Sequence, residues 1–475
     1  MIGEGVSRPG VRGFLLYGSM VAVTIGGFLI VRWMGRDLAP PQGAAVARAA
    51  VGSDSGQMLL HVLLALAVII AAARLCGAAF RFLHQPPVIG EVLAGIALGP
   101  SLLGHLAPDL AGYVLPPSVA PQLSVLAQVG VVLYMFLVGI ELDLTALGRK
   151  AHAAVVVSHA SIIVPFLLGA ILALQLFPLL APANVSFTNF ALFLGVSMSV
   201  TAFPVLARIL TDRRMHTTPL GVVALTCAAV DDVTAWCLLA LLVAVTKAEP
   251  MSALVTVVLS LVYIAVMIAV VRPALAHWVR ARDEQGLTRS VMSVACVALL
   301  LSALVTEYIG IHAIFGAFML GAMVPSGSRI ARELLIRLED IVVILFLPAF
   351  FAFTGMRTQI GLVTGTQAWF LCGVIILVAT AGKFGGSMAA ARLTGMSWRD
   401  AASLGILMNT RGLMELIVLN LGLDLGVISP TLFAMLVIMA LVTTFATTPI
   451  LHALRPERAP ALGMAKTGFA RRTPV

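Results

Sequence analysis

Runs of about 20 apolar residues, the length that a helix needs to cross roughly 30 Å of hydrocarbon, recur along almost the whole chain of 475 residues. Charged residues make up 11% of the chain and hydrophobic residues 60%, whereas a soluble domain carries roughly 25% charged residues. Helices satisfy their own backbone hydrogen bonds in lipid. The sequence therefore excludes a soluble enzyme and predicts an all-α polytopic membrane protein that is not an enzyme.

Fourteen apolar segments are long enough to span the bilayer. They lie near 14–34, 59–80, 87–104, 121–142, 153–177, 190–210, 217–246, 252–276, 290–308, 310–325, 338–357, 367–391, 402–421 and 430–451. Arg32 and Arg36 stand where a signal peptide would be cleaved, so the first segment is interpreted as an anchor helix. The predicted domains are an anchor and linker (1–57), a transmembrane domain (58–451) and a short cytoplasmic tail (452–475).

Basic residues alternate between loops. Eighteen Lys and Arg lie in the loops and tail on one side of the membrane, and four lie in the loops on the other side. The chain as a whole carries a net charge of +9. The positive-inside rule then places the C-terminus in the cytoplasm. This distribution indicates membrane orientation and not a nucleic-acid partner. The short loops and tails indicate a bacterial inner membrane.

Orientation also predicts a symmetry. Six spans from 59 to 246 begin outside, 252–276 crosses alone as a linker helix, and six spans from 290 to 451 begin inside, so the halves are inverted repeats. Val92–Gly99 (VLAGIALG) aligns with Ile314–Gly321 (IFGAFMLG), and Phe136–Gly139 (FLVG) with Ala352–Gly355 (AFTG). Inverted repeats are typical of secondary transporters, whose substrate site lies at two interrupted helices.

The fifth span of each half carries such an interruption. In Ser197–Leu206 (SMSVTAFPVL), Pro204 lacks an amide proton and is expected to push Phe203 out of the helical region. Asn409–Gly412 (NTRG) supplies polar residues in the second half. Free carbonyls and the hydroxyls of Ser199 and Thr201 could replace the hydration shell of a cation there. A plain proline kink in a packed helix is the alternative.

Asp231 and Asp232 lie in the middle of an apolar span (TCAAVDDVTAW). An aspartate at a helix centre costs roughly 2.5–3.5 kcal/mol even on low scales, so the pair indicates function. Adjacent helical residues point about 100° apart, so one acid can bind a cation while the other meets a protein group. Lys383, deep in another span, is the predicted partner, either as a proton switch or as a static salt bridge.

These residues predict exchange by competition. A carboxylate that is deprotonated to hold Na⁺ or K⁺, and protonated when empty, exchanges one ion for the other as the site is exposed to alternate sides. No cofactor is predicted. The two adjacent acids cannot form the facing dyad of an aspartyl protease, whereas a passive cation channel remains the alternative.

The motifs resemble the second monovalent cation/proton antiporter family, which has the sodium/hydrogen exchanger fold, most closely its CHX-type exchangers and more distantly Kef-type K⁺ efflux systems. The resemblance covers roughly 59–451 and rests on QPPVIGEVLAGIALGP (85–100), FLVGIELDL (136–144), SVTAFPVLARIL (199–210), the Asp-Asp helix and NTRGLMELIVLN (409–420). It implies a homodimer, alternate binding of ion and proton at Asp232, and pairing of Lys383 with Asp231. Plant CHX-type exchangers commonly carry Asn-Asp here, so ion preference and stoichiometry stay open.

Three further polar residues are secondary candidates. Glu91 resembles a functional glutamate of the family, but it lies near the cytoplasmic end of its span, where it could reach water. Arg411 and Glu415 are four residues apart on one helix face, which favours a structural pair over direct ion handling.

Overall fold

The computed structural model describes residues 11–35, 58–83, 85–141, 151–213, 215, 218–247, 250–325 and 327–455. Regular structure in these ranges is helical, and no strand occurs among them. The predicted all-α membrane fold is confirmed. Residues 36–57 of the predicted linker and 456–475 of the predicted tail lie outside the described residues.

The helices are numbered in chain order. They are α1 Val11–Gly35, α2 Met58–Phe82, α3 Pro87–Leu98, α4 Leu103–Leu106, α5 Pro108–Val114, α6 Ala120–Glu141, α7 Ala151–Leu180, α8 Phe187–Ser199, α9 Phe203–Asp212, α10 Pro219–Lys247, α11 Pro250–Val266, α12 Arg272–Arg280, α13 Arg289–Ile309, α14 Ala313–Met323, α15 Arg329–Ile341, α16 Leu347–Arg357, α17 Gly365–Thr380, α18 Gly386–Leu393, α19 Trp398–Met408, α20 Leu413–Asp424 and α21 Pro430–Leu454.

Three helix pairs are continuous through a π-helical turn. These turns are Met267–Val271 between α11 and α12, Val342–Phe346 between α15 and α16, and Ala381–Gly385 between α17 and α18. A π turn inserts an extra residue into a helix and is often found at a functional site. Lys383 lies in the middle of the third turn.

Local sequence explains where several helices begin. A serine or threonine precedes α8, α13, α15, α19 and α21, and its hydroxyl accepts a hydrogen bond from a backbone amide of the first turn. These capping residues are Ser186, Thr288, Ser328, Ser397 and Ser429. Each satisfies one of the amides that a helix start leaves without a partner.

The number of membrane spans is given only coarsely by length and hydropathy. In the described part of the chain, nine helices are long and apolar enough to cross a bilayer, or ten if the bent pair α19 and α20 counts as one span. Other predicted spans correspond to shorter helices, such as α8 and α14. The structure therefore supports a polytopic membrane protein. Helix length alone does not establish the predicted layout of two six-helix repeats and a linker helix, which makes thirteen spans besides the anchor helix.

Two helix crossings use glycine for close backbone contact. A Cβ at Gly139 of α6 would lie 2.3 Å from the carbonyl oxygen of Phe318 on α14, and one at Gly321 would lie 2.2 Å from that of Phe136. At the crossing of α3 and α16, a Cβ at Gly355 would lie 2.4 Å from the carbonyl carbon of Gly95. Small residues permit such packing of membrane helices. The two pairs of similar segments in the sequence thus form two similar interfaces, each joining one half to the other.

The two predicted interruptions are present. Helix α8 ends at Ser199 and α9 begins at Phe203, while α19 ends at Met408 and α20 begins at Leu413 with a bend of 42°. The expectation that Phe203 leaves the helical region is wrong, since the non-helical residues are 200–202. Pro204 is the second residue of α9, where its missing amide proton costs nothing because the first turn has no partner for it.

Candidate functional site

The two breaks touch each other. The backbone amide of Ala202 donates to the carbonyl of Thr410 at 2.9 Å, so the unwound segments are joined by their main chains. Asp231 and Asp232 on α10 and Lys383 in the third π turn are all buried. Non-helical backbone at membrane depth is tolerated only where it is buried in protein or lines a wet cavity, and here it is buried beside charged groups.

The carboxylate of Asp231 accepts hydrogen bonds from three parts of the structure: helix α7, the first break and the third π turn. Its Oδ1 accepts from Ser158 Oγ at 2.5 Å, and its Oδ2 accepts from Ser161 Oγ at 2.6 Å and from Thr201 Oγ1 at 2.7 Å. Lys383 Nζ donates to the same Oδ2 at 3.1 Å. Four donors, one of them cationic, satisfy both oxygens of this buried carboxylate. The structure therefore brings together Asp231, Lys383 and Thr201.

Ser158 and Ser161 were not predicted to contribute. Both lie on α7 and are fully buried. Their spacing of three residues puts them on one face of the helix, and two serines at that spacing in an apolar span were the available signal.

The C-terminal end of α8 is held by two cations. The last carbonyls of a helix lack partners within it and carry partial negative charge. Lys383 Nζ donates to the carbonyl of Ser199. Arg411 donates through Nη1 to the carbonyl of Ser197 at 2.9 Å and through Nη2 to that of Met198 at 2.7 Å. The break in this span is thus stabilised by charge from the second half of the chain.

Arg411 also forms an ion pair with Glu415, four residues further along the chain. Its Nη1 lies 2.9 Å from Glu415 Oε2, and both side chains are fully buried. One guanidinium therefore joins the start of α20 to the end of α8, and its charge is balanced by Glu415 in the first turn of α20.

Asp232 differs from its neighbour. It is 2% exposed, and among the described residues its Oδ1 has no hydrogen-bond partner. An ionised carboxylate buried without a partner is costly and normally pairs, binds an ion or takes up a proton. Of the two adjacent acids on α10, Asp232 is therefore the one with an open carboxylate oxygen.

The predicted hydroxyl ligands are placed differently. Ser199 Oγ donates to the carbonyls of Gly195 at 2.7 Å and Ile162 at 3.0 Å, so this hydroxyl is used by backbone and Ser199 joins the cluster through its carbonyl. Thr201 Oγ1 donates to Asp231 and lies 3.3 Å from the carbonyl of Met408. Thr201 therefore bridges α10 and the second break.

Glu91 lies in the interface between α2 and α3. A Cβ at Gly77 of α2 would be 3.6 Å from Glu91 Cγ, and Arg74 and Arg81 of α2 interact electrostatically with its carboxylate. The charged side chains that act on Glu91 are therefore basic residues of α2.

The donor set suits a monovalent cation better than a transition metal. Within the described residues, no group of three or more His, Cys, Asp or Glu is placed to hold a metal ion. Carboxylate, hydroxyl and backbone carbonyl oxygens are the hard ligands that replace the hydration shell of Na⁺ or K⁺.

Discontinuous helices that cross around buried charges are the architecture of secondary transporters. The chain belongs to the family described as "Sodium/hydrogen exchanger, transmembrane", whose sequence model matches residues 65–454. The family predicted from the motifs is confirmed, and it is a family of exchangers and not of enzymes.

Individual relatives agree with this assignment. The chain is 45% identical over 404 residues to the Na(+)/H(+) antiporter NhaS4 of Synechocystis sp., covering 84% of this chain and 98% of that protein. It is 38% identical over 407 residues to Cation/H(+) antiporter 20 of Arabidopsis thaliana, covering 82% of this chain and 48% of the plant protein. The chain thus spans about half the length of the plant relative.

A solved structure shares the fold. The sodium proton antiporter MjNhaP1 from Methanocaldococcus jannaschii at pH 8 superposes with a TM-score of 0.63 at 13% sequence identity, covering 83% of this chain and 99% of that one. At this identity the likeness shows the fold alone.

Proposed function

We propose that this protein is a secondary active antiporter that exchanges a monovalent cation, Na⁺ or K⁺, for protons. Asp232 binds the cation and the proton in turn, and the site is exposed alternately to the two sides of the membrane. The observation that carries the proposal is the contrast between two adjacent buried acids, one with four donors and one with an unpartnered oxygen. Relatives named as sodium/proton and cation/proton antiporters support it.

Competition follows from the cost of burying charge. An empty, ionised Asp232 would have to be carried through an apolar barrier, which is unfavourable. The same side chain with a bound cation or a bound proton is neutral. Because both occupied forms can move and the empty charged form cannot, the flux of one ion is coupled to the flux of the other.

Asp231 and Lys383 hold the site in place under this proposal. Their ion pair links α10 to the π turn, and Lys383 also donates a hydrogen bond to the carbonyl of Ser199 at the end of α8. Either the pair stays fixed during the cycle or Lys383 releases its proton when Asp231 is engaged otherwise. Both mechanisms use this geometry, and the charge moved per cycle distinguishes them.

Alternating access is proposed from the two halves. The α3–α16 and α6–α14 crossings, built from similar segments with glycine contacts, support an inverted pair of six-helix repeats with α11 and α12 as the linker helix, thirteen spans in all. Such repeats carry a site between them and expose it by moving one bundle against the other.

The proposed organisation follows the sequence prediction. Residues 58–451 form the transport domain, 1–57 the anchor and linker, and 452–475 a cytoplasmic tail. The protein is proposed to be a homodimer in a bacterial inner membrane with its C-terminus in the cytoplasm, oriented by the distribution of Lys and Arg. Its partners are Na⁺ or K⁺, H⁺ and lipid.

The deciding experiment compares isosteric variants in proteoliposomes that carry a pH-sensitive dye. We expect that Na⁺, K⁺ or Li⁺ no longer collapses an imposed proton gradient in Asp232→Asn. A neutral carboxamide neither takes up nor releases the proton that a carboxylate exchanges for the cation. Asp109→Asn, at an exposed position on α5, is the control and should exchange normally. Full exchange by Asp232→Asn would refute the site.

The same preparation tests the channel alternative. An antiporter moves protons only in exchange for the cation, so adding the cation changes the proton gradient. A passive pore conducts the cation without moving protons. Cation conductance without proton movement would show that the protein is a channel and not an antiporter.

A further inference from the structure

Asn409, the first residue after α19, carries an unused carboxamide. It is 1% exposed, and among the described residues neither its Oδ1 nor its Nδ2 has a hydrogen-bond partner. A carboxamide offers two donors and two acceptor lone pairs. Leaving such a group buried and unpaired costs about 1–3 kcal/mol, so a ligand or water is expected to meet it.

The surrounding segment is not loosely packed. Thr410 Oγ1 donates to the carbonyl of Leu407 at 2.7 Å. The amide of Arg411 donates to Thr444 Oγ1 at 2.9 Å, and the same hydroxyl donates back to the Arg411 carbonyl at 2.7 Å. The break is therefore ordered by its own contacts, while the side chain of Asn409 is left open.

The position of Asn409 relates it to the ion site. Thr201 Oγ1 lies 2.7 Å from Asp231 Oδ2 and 3.3 Å from the carbonyl oxygen of Met408. The residue that follows each of these two is Asp232 on α10 and Asn409 on the second break. Both carry buried polar atoms without partners among the described residues, and the Thr201 hydroxyl joins the two segments on which they lie.

Helix packing places Asn409 beside the π turn as well. A Cβ at Gly405 of α19 would lie 2.8 Å from the carbonyl oxygen of Phe384, so this face of α19 contacts the turn that carries Lys383. Asn409 is four residues further along and lies on the same face. Helix α19, which Asn409 follows, packs against both the π turn and α10.

We propose that Asn409 is a further ligand of the ion site and that its carboxamide binds the transported monovalent cation, directly or through one water. This inference rests on the proposed function. A neutral oxygen replaces part of the hydration shell of the ion without adding charge. It therefore strengthens cation binding and leaves Asp232 as the group that exchanges a proton.

The test uses leucine, which has nearly the shape of asparagine without its polar atoms. Replacing an unpaired buried polar group by an apolar one of the same shape is neutral or stabilising. We therefore expect Asn409→Leu to keep or increase thermal stability and to raise the cation concentration for half-maximal exchange about tenfold, equivalent to about 1.4 kcal/mol. Asn409→Ala should show the same rise and serves if the leucine variant fails to fold.

Asn420→Leu is the matched control. Asn420 Nδ2 donates to Thr354 Oγ1 at 2.7 Å and to the carbonyl of Leu416 at 2.9 Å, and its Oδ1 accepts from Arg357 at 3.2 Å. We expect this variant to lose stability, because its partners become unpaired. An unchanged half-saturating concentration in both Asn409 variants would overturn the inference. If Asp232→Asn is inactive in the same assay, the proposed function survives that result, whereas an active Asp232→Asn would remove both.

Discussion

The ion pair between Asp231 and Lys383 predicts that replacing Asp231 lowers the free energy of unfolding, whereas replacing the adjacent Asp232 does not. Lys383→Gln would leave a buried carboxylate with three hydroxyl donors and no counter-charge. Asp231→Asn would leave a buried ammonium with the Ser199 carbonyl as its described partner. Breaking a buried pair by removing one partner typically costs about 3–5 kcal/mol, so each single variant should lose about that much unfolding free energy.

The double variant should recover most of this loss. With both charges removed, no uncompensated ion remains, and the hydroxyls of Ser158, Ser161 and Thr201 can reorient around the new amide. Each single variant loses the free energy of the same ion pair, so the sum of the two losses exceeds the loss in the double variant. We expect a coupling energy of about 3–5 kcal/mol, far above the roughly 0.5 kcal/mol scatter of independent sites.

Unfolding in detergent micelles titrated with SDS measures this cycle, with Asp232→Asn as the isosteric control one residue away. Since Asp232 Oδ1 has no partner among the described residues, that variant should be as stable as the natural protein or more so. Additive losses in the double variant, or a loss in Asp232→Asn as large as in Asp231→Asn, would refute the division of roles between the two acids.

Two other predictions concern transport. The variant Asp231→Asn with Lys383→Gln is expected to retain cation binding but to move a different charge per cycle. One charge moved through 100 mV is worth roughly 2.3 kcal/mol, so currents on supported membranes would show the change, and unchanged electrogenicity would mean a static salt bridge. Thr201→Val should impair exchange because it removes a donor to Asp231, while Ser199→Ala should exchange nearly normally because its hydroxyl bonds to backbone. Rates in proteoliposomes check the pair, and the reverse order would contradict the geometry.

The helices were predictable from the sequence to within a few residues where the apolar run is uninterrupted. The predicted span 430–451 is α21, Pro430–Leu454, and 217–246 is α10, Pro219–Lys247. Both runs are bounded by residues that end or start helices. Prediction was poorer for the second span of each half, where α3 and α14 have 12 and 11 residues, because hydropathy continues into the following turn and does not record where the backbone leaves the helix.

The buried charged residues of the candidate site are visible in the sequence, and the resemblance implied the Asp231–Lys383 pair, whereas the hydroxyl donors to Asp231 were mostly missed. Two acids and a lysine deep in apolar spans are visible in the sequence because burying their charge is costly. Which acid meets the lysine depends on the rotation of α10 and on the π turn, neither of which periodicity records. The hydroxyls of Ser158 and Ser161 were missed because serine is common in membrane helices, where it can bond to backbone.

Under the proposed function, the charges around the crossing favour binding of one monovalent ion. Five fully or almost fully buried residues, Asp231, Asp232, Lys383, Arg411 and Glu415, carry three negative and two positive charges when ionised. Two ion pairs cancel four of them, and the remaining charge is that of Asp232. A proton or a monovalent cation brings the cluster to neutrality, whereas a divalent cation would leave an uncompensated positive charge in a medium that penalises it. Since replacing both members of the Asp231–Lys383 pair by amides leaves the sum unchanged, cation binding should depend on Asp232 and not on that pair.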